Sequence, residues 1–334
     1  MILTDAFWPV FALSSWFSGQ QQHQHDESLA NGGHHHHHHG HHGHHGHVQP
    51  FPGHTLYKLN DGNYIPSPAW GTGTATAREG NATLLVAQAL EAGWRHIDCS
   101  LIYRNQNGTG EALTASGVPR GELYITSKYD SLTNQSVHEE LGLTLAQLQL
   151  DYLDLYLIHF PRAAVNGGGL KKVWREMEEV KKMGLVRSIG VSNYDSVELL
   201  EEVLEVAEVF PAINQINYSV YNAVDKAPVV ALGTQHGILT SAYGELRPIT
   251  SSPNGPADII GKQITDRLSK DYGKEVTYAQ MIFSWLKSTG VVAVTTTSNK
   301  ERLKEQVVPF GKDFPLVTAA EARAFEASGW GYKD

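Results

Sequence analysis

From about residue 55 onward, short apolar runs alternate with segments whose apolar residues recur every three to four positions. That is the pattern of repeated strand–helix units. Eight runs read as strands: Ala69–Thr74, Arg95–Ser100, Leu123–Lys128, Tyr152–Phe160, Ser188–Asn193, Ala212–Tyr218, Ile238–Tyr243 and Val291–Thr296. Between Leu170 and Met183 the apolar residues fall at 170, 173, 174, 177, 180 and 183, one face of a helix. Leu199, Leu200, Val203, Leu204 and Ala207 repeat the spacing, and Ala82–Leu90 and Tyr278–Leu286 also read as helices. Asp195 with Glu198, and Thr144 with Gln147, have the spacing of capping boxes. Eight strands alternating with about as many helices predict an α/β fold, a single TIM-type (β/α)8 barrel over residues 55–334. An open doubly wound sheet is the alternative. It needs a Gly-x-Gly-x-x-Gly turn after an early strand, and Gly71-Thr72-Gly73-Thr74 lacks the third glycine.

The first 54 residues differ from the rest. They hold 14 of the 18 histidines, including the run His34–His39, in a Gly/His tract with no apolar periodicity. Such a tract cannot bury a core, so residues 1–54 are expected to be a disordered extension. Its imidazoles can bind metal ions opportunistically, but a low-complexity tail or an affinity tag is the simpler reading. The first 18 residues are apolar enough to suggest a signal peptide. They lack a basic leader region, carry Asp5 in its place, and are broken by Pro9, so a cytoplasmic location is expected. A translation start placed too far upstream explains the stretch equally well.

Composition narrows the function. The net charge of −9, from 26 basic and 35 acidic residues, argues against nucleic-acid and anionic-membrane partners. No run of 18 apolar residues exists to span a membrane. The single cysteine, Cys99, excludes an internal disulfide framework and reads as inert packing.

In a barrel of this type, chemistry belongs at the carboxyl ends of the strands. Polar residues collect there: Asp98 with Tyr103 just beyond, Lys128, His159, Ser192 and Asn193, Gln215 and Asn217, and Tyr243. Singly, each has a structural reading, as an ion pair, a packed aromatic or a cap. Together they suit proton delivery to a carbonyl. A tyrosine hydroxyl titrates near 10, and a neighbouring ammonium lowers that value. Lys128 is placed to supply it, Asp98 to hold Lys128, and His159 to hydrogen-bond the substrate oxygen. No strong nucleophile stands beside its own base, which disfavours acyl transfer.

With those residues in view, the chain from about Leu56 to Tyr332 resembles the aldo-keto reductases. Gly93-Trp94-Arg95-His96-Ile97-Asp98 with Tyr103, Thr126-Ser127-Lys128, the stretch Leu150–Pro161 and Ile189-Gly190-Val191-Ser192-Asn193-Tyr194 carry the resemblance. It implies a reductase that passes hydride from a nicotinamide cofactor to an aldehyde or ketone. Tyr103 would be the general acid, Lys128 and Asp98 would tune it, and His159 would orient the carbonyl, with Phe160 beside it in the substrate pocket. Thr74 and Asp98 would lie near the cofactor. Ser192, Asn193 and Gln215 would bind its carboxamide, and Tyr243 would stack on its ring, followed by Leu246. Thr297, Arg302, Glu305 and Gln306 would hold its adenosine end.

Several positions depart from the family pattern. Thr296-Thr297 stands where Lys-Ser is frequent, which leaves Arg302, with Lys300 and Lys304 nearby, for a 2′-phosphate. A guanidinium grips a phosphate bidentately, so NADPH is the expected cofactor, with NADH as the alternative. Phe160 and Ala75 replace frequent tryptophans, which implies a wider or less aromatic pocket. Glu245 stands where proline is usual, and Leu246–Asp258 reads as a loop. The expected partner is a small carbonyl compound, and the expected assembly a monomer. Two other classes compete with this one. A regulatory subunit that turns over poorly is disfavoured by the complete catalytic set. A metal-dependent hydrolase wants three ligands, often with paired histidines, and the barrel has only His96, His138, His159 and His236, none paired, so no metal is expected.

Overall fold

The computed structural model describes residues 51–74, 81–132 and 135–332. The expected N-terminal extension lies outside the described residues except for its last four, and so does Ala75. Those four residues adjoin the barrel: the His54 ring accepts from the Arg95 N–H at 3.3 Å.

Strands β1 (Thr55–Lys58) and β2 (Tyr64–Ser67) form an antiparallel hairpin. It carries no legible hydrophobic alternation, because three of the four β1 residues are partly buried and none is fully so. Eight parallel strands follow: β3 (Ala69–Gly71), β4 (His96–Asp98), β5 (Tyr124–Tyr129), β6 (Leu153–Ile158), β7 (Val186–Ser192), β8 (Ile213–Asn217), β9 (Leu239–Tyr243) and β10 (Val292–Thr295). They pair in chain order, and β10 closes onto β3 through Val294–Ala69 and Thr295–Trp70. Each of the eight expected strands is present, most of them shorter than expected. The Trp70 indole N–H, donating to the Thr297 carbonyl at 3.3 Å, ties the closing seam.

Side chains point alternately into and out of such a barrel. Leu59 and Ile65 of the hairpin segment pack with Tyr124, Leu155, Ile213 and Val292, early residues of their strands. The hairpin therefore plugs the amino-terminal end of the barrel with apolar side chains, and the carboxyl-terminal end is left to the polar ones. Outside, helices pack on the sheet. In Leu170–Lys182 the buried residues are Val173, Trp174, Met177 and Val180, the centre of the predicted stripe, whereas Leu170 is half-buried and Met183, just past the helix, is exposed. At Gly190 of β7 an added Cβ would stand 2.5 Å from the Ile213 carbonyl oxygen and 2.8 Å from Leu157, so only glycine fits.

The helix starts differ from expectation. Helix Val137–Leu148 opens with a capping box made by Ser136 and Glu139, and Thr144 is buried inside it. Helix Val197–Val206 is capped by the Ser196 hydroxyl, which accepts from the Leu199 N–H. Asp195 instead pairs with Lys226 at 2.6 Å. In both cases a serine in extended backbone, directly before the helix, wins the cap. The stretch Leu246–Asp258 is not wholly a loop: it holds a short helix, Arg247–Thr250, and the start of another, Ala257–Tyr272. No helix among the described residues is long and apolar enough to cross a membrane.

Candidate active site

A cavity of about 710 Å³ opens at the carboxyl ends of the strands, a size suited to a small-molecule ligand. Asp98, Tyr103, His159, Phe160, Ser192, Asn193, Gln215, Tyr243, Leu246 and Thr74 all line it.

At its floor Lys128, fully buried, makes a short ion pair with Asp98 Oδ1 and donates to the Cys99 carbonyl at 3.1 Å. The other Asp98 oxygen accepts from Gln215 Nε2 at 2.8 Å. The ion pair outweighs burial and raises the lysine, so Lys128 stays charged. Its Nζ lies 5.3 Å from the centre of the Tyr103 ring.

Tyr103 closes a single 3-10 turn, Leu101–Tyr103, ended by Arg104 with φ 59°. Its ring lies so close to Gly73 that a Cβ there would sit 2.9 Å from the ring. Lys128 pulls the hydroxyl's titration down, as expected. Burial and the carboxylates of Asp98 and Asp130 push it up, and the net direction is upward. Tyr103 is accordingly held protonated, the state a proton donor needs.

His159 follows β6, with its Nε2 3.4 Å from the Tyr103 hydroxyl. Its Nδ1 lies 2.5 Å from Asp130 Oδ1. The second Asp130 oxygen accepts a short hydrogen bond from Ser100 and another from the Ile102 N–H at 3.3 Å. A carboxylate can only accept, so the Nδ1 of His159 carries a proton. Burial lowers the ring's pKa more than Asp130 raises it. The neutral ring therefore presents a lone pair on Nε2 towards Tyr103 and has no N–H left for a carbonyl oxygen.

Asp130, Ser100 and Glu140 were not foreseen. Buried Glu140 accepts from the N–H groups of Asp130 at 2.5 Å and Leu132 at 3.2 Å, and burial pushes it up to about 7. Alternation was the available signal. Ser100 stands two residues after Asp98, and Asp130 two after Lys128, on the same inward face.

The remaining expected residues divide. Ser192 donates to the Gln215 carbonyl at 2.8 Å, Asn193 to the His159 carbonyl at 2.8 Å, and the Tyr243 hydroxyl to Asn193 Oδ1 at 2.7 Å. These bonds hold the polar rim in place. Phe160 stacks on His159, ring centres 4.2 Å apart. Thr297, Arg302, Glu305 and Gln306 lie beyond β10, the last three on helix Lys300–Val307, and none lines the cavity. The Thr277 hydroxyl donates to Glu305 at 2.5 Å, and Gln306 is buried. Arg302 is exposed. Cys99 is buried, and burial pushes its thiol up to about 12, which makes it inert. Buried His96, bonded to the Pro66 carbonyl and to Thr126, is lowered to about 4 and is structural.

An eight-stranded parallel barrel with a lysine, aspartate, tyrosine and histidine at its carboxyl-terminal mouth defines an oxidoreductase-like barrel site. The sequence model of the aldo/keto reductase family matches residues 68–317. The chain belongs to that family. It is 38% identical over 258 residues to an NAD/NADP-dependent indole-3-acetaldehyde reductase of Schizosaccharomyces pombe, covering 73% of this chain and 86% of the relative. It is 36% identical to an NADPH-dependent alpha-keto amide reductase of Saccharomyces cerevisiae, covering 80% of this chain and 88% of the relative. Among solved structures, a Bombyx mori aldo-keto reductase in complex with NADP is similar, with a TM-score of 0.69 and 30% identity, covering 82% of this chain and 92% of that one.

Proposed function

We propose that this chain reduces an aldehyde or ketone to the corresponding alcohol with NADPH, NADH being the alternative cofactor. The carrying observation is the convergence of Tyr103, His159 and the Asp98–Lys128 pair on one cavity. The residues present suit a dinucleotide. Amides of Asn193 and Gln215, the Ser192 hydroxyl and the Tyr243 ring would hold the nicotinamide end, and exposed Arg302 would meet a 2′-phosphate. Bound there, the cofactor supplies the hydride. The relatives named above act on aldehydes or on keto amides, which agrees with a carbonyl substrate.

The chain's own residues handle the proton. The Tyr103 hydroxyl, resting against His159 Nε2, turns to the carbonyl oxygen and donates to it. As charge builds on that oxygen the proton moves across, and Lys128 stabilises the tyrosinate left behind. His159 with its Asp130 partner then accepts the product hydroxyl or, protonated, donates at Nε2. Phe160 covers one face of the His159 ring by stacking on it. The same reading takes the chain to act as a monomer in the cytoplasm.

The test follows absorbance of NADPH, and of NADH in parallel, against a panel of aldehydes and ketones. Turnover of several members is expected, with NADPH preferred. Tight cofactor binding with no turnover of any member would contradict the reading and favour a regulatory subunit.

A further inference from the structure

Glu245 follows Gly244 in the loop leaving β9 and helps to line the cavity. Glu245 is 1% exposed, and neither carboxyl oxygen has a partner in good hydrogen-bond geometry, its own N–H and the Thr295 hydroxyl being the nearby donors. Native proteins rarely leave a buried carboxyl unpaired, because the charged form loses its hydration with nothing in return. Burial pushes this one up to about 8, against smaller downward pulls from its own amide and the Thr295 hydroxyl of β10. The ionisable side chains that share the cavity are Asp98, Tyr103, His159, Arg162 and Tyr243, and none of them is among the groups acting on it. Among the described residues no cation therefore compensates it. An orphan carboxyl in the wall of a ligand cavity is satisfied by the ligand.

We propose that Glu245 is a proton-gated contact for the phosphate-bearing cofactor: neutral, its O–H donates to an acceptor oxygen of the bound dinucleotide, and ionised, it repels that polyanion. The proposal rests on the cofactor assigned above. A carboxylate facing a phosphate oxygen has no hydrogen to share, and like charges in a desolvated wall repel strongly. Cofactor affinity then falls as pH climbs through the titration of Glu245, and binding on the alkaline side takes up a proton. A divalent cation bridging the carboxylate and the phosphates is the competing arrangement.

Calorimetric titration of the full chain with NADP⁺ between about pH 7 and 9.5, in two buffers of different ionisation heat and without divalent cations, separates these. The expected result is a Kd that weakens by up to about tenfold per pH unit on the alkaline side, with uptake of as much as one proton. Glu245→Gln, neutral and of the same shape, keeps the tight affinity across the range and takes up none. A flat profile in the parent chain overturns the proposal. So does a Gln variant with the parent's slope, or Mg²⁺ alone restoring alkaline affinity. Tight but pH-independent binding leaves the cofactor assignment intact and removes only the gate, whereas no binding at any pH removes both.

Discussion

Asp130 determines what His159 can give and take. The carboxylate fixes the ring proton on Nδ1 and lends some stability to the imidazolium, although burial keeps the ring's pKa below its ordinary value. Exchanging it for asparagine removes the charge while keeping the shape. The hydrogen bond and charge that raise His159 are then lost, so its pKa falls further, and the acid limb of the reduction profile moves to lower pH. Asp130→Asn is therefore expected to shift that limb downward and to cost on the order of tenfold in kcat at neutral pH, a fraction of a general acid–base contribution. Nitrogen NMR of His159 checks the tautomer directly. The parent should show hydrogen on Nδ1 and a bare Nε2; the opposite tautomer would remove Asp130 from the account.

At the scale of elements, the barrel was legible because its signals are regular. Each strand is an apolar run of usable length, and the helix Leu170–Lys182 carries a clean stripe. The four principal site residues were legible for the same reason, since polar side chains at the tips of apolar strands stand out. What escaped has physical causes. The β1–β2 hairpin lacks an alternating pattern because it plugs the barrel floor with scattered apolar residues. The caps were misplaced because Ser136 and Ser196 compete with nearby Thr144 and Asp195 for the same local signal. Asp130 lies one residue past the end of β5, where alternation continues but strand propensity has stopped. Close packing between strands makes its own prediction. A methyl at Gly190 meets the Ile213 carbonyl at 2.5 Å, which forces β7 and β8 apart. Gly190→Ala is expected to cost about 2–3 kcal/mol. That lowers the thermal midpoint by roughly 5 °C for a domain of this size. An unchanged midpoint in calorimetry would mean that the two strands have slack that this packing denies.

Over the whole molecule, the fold sorts its side chains by end. The amino-terminal end of the barrel is apolar and closed by the hairpin, and the carboxyl-terminal end gathers the ion pair, the tyrosine and the Asp130–His159 couple around one cavity. The expense of burying Lys128 is offset by Asp98, and the pair can act on a group nearby that changes charge during the reaction. On the proposed mechanism Tyr103 is that group. Its loss should therefore remove the chemistry and spare the binding. The most direct measurement is single-turnover reduction by the parent chain and by Tyr103→Phe, both saturated with NADPH, with cofactor affinity read by fluorescence on the same samples. The expected result is a drop of about 10²-fold or more in the chemical step at unchanged NADPH affinity, the size of a lost general acid. Equal single-turnover rates in the two proteins would show that the proton comes from elsewhere and would contradict the assignment of Tyr103.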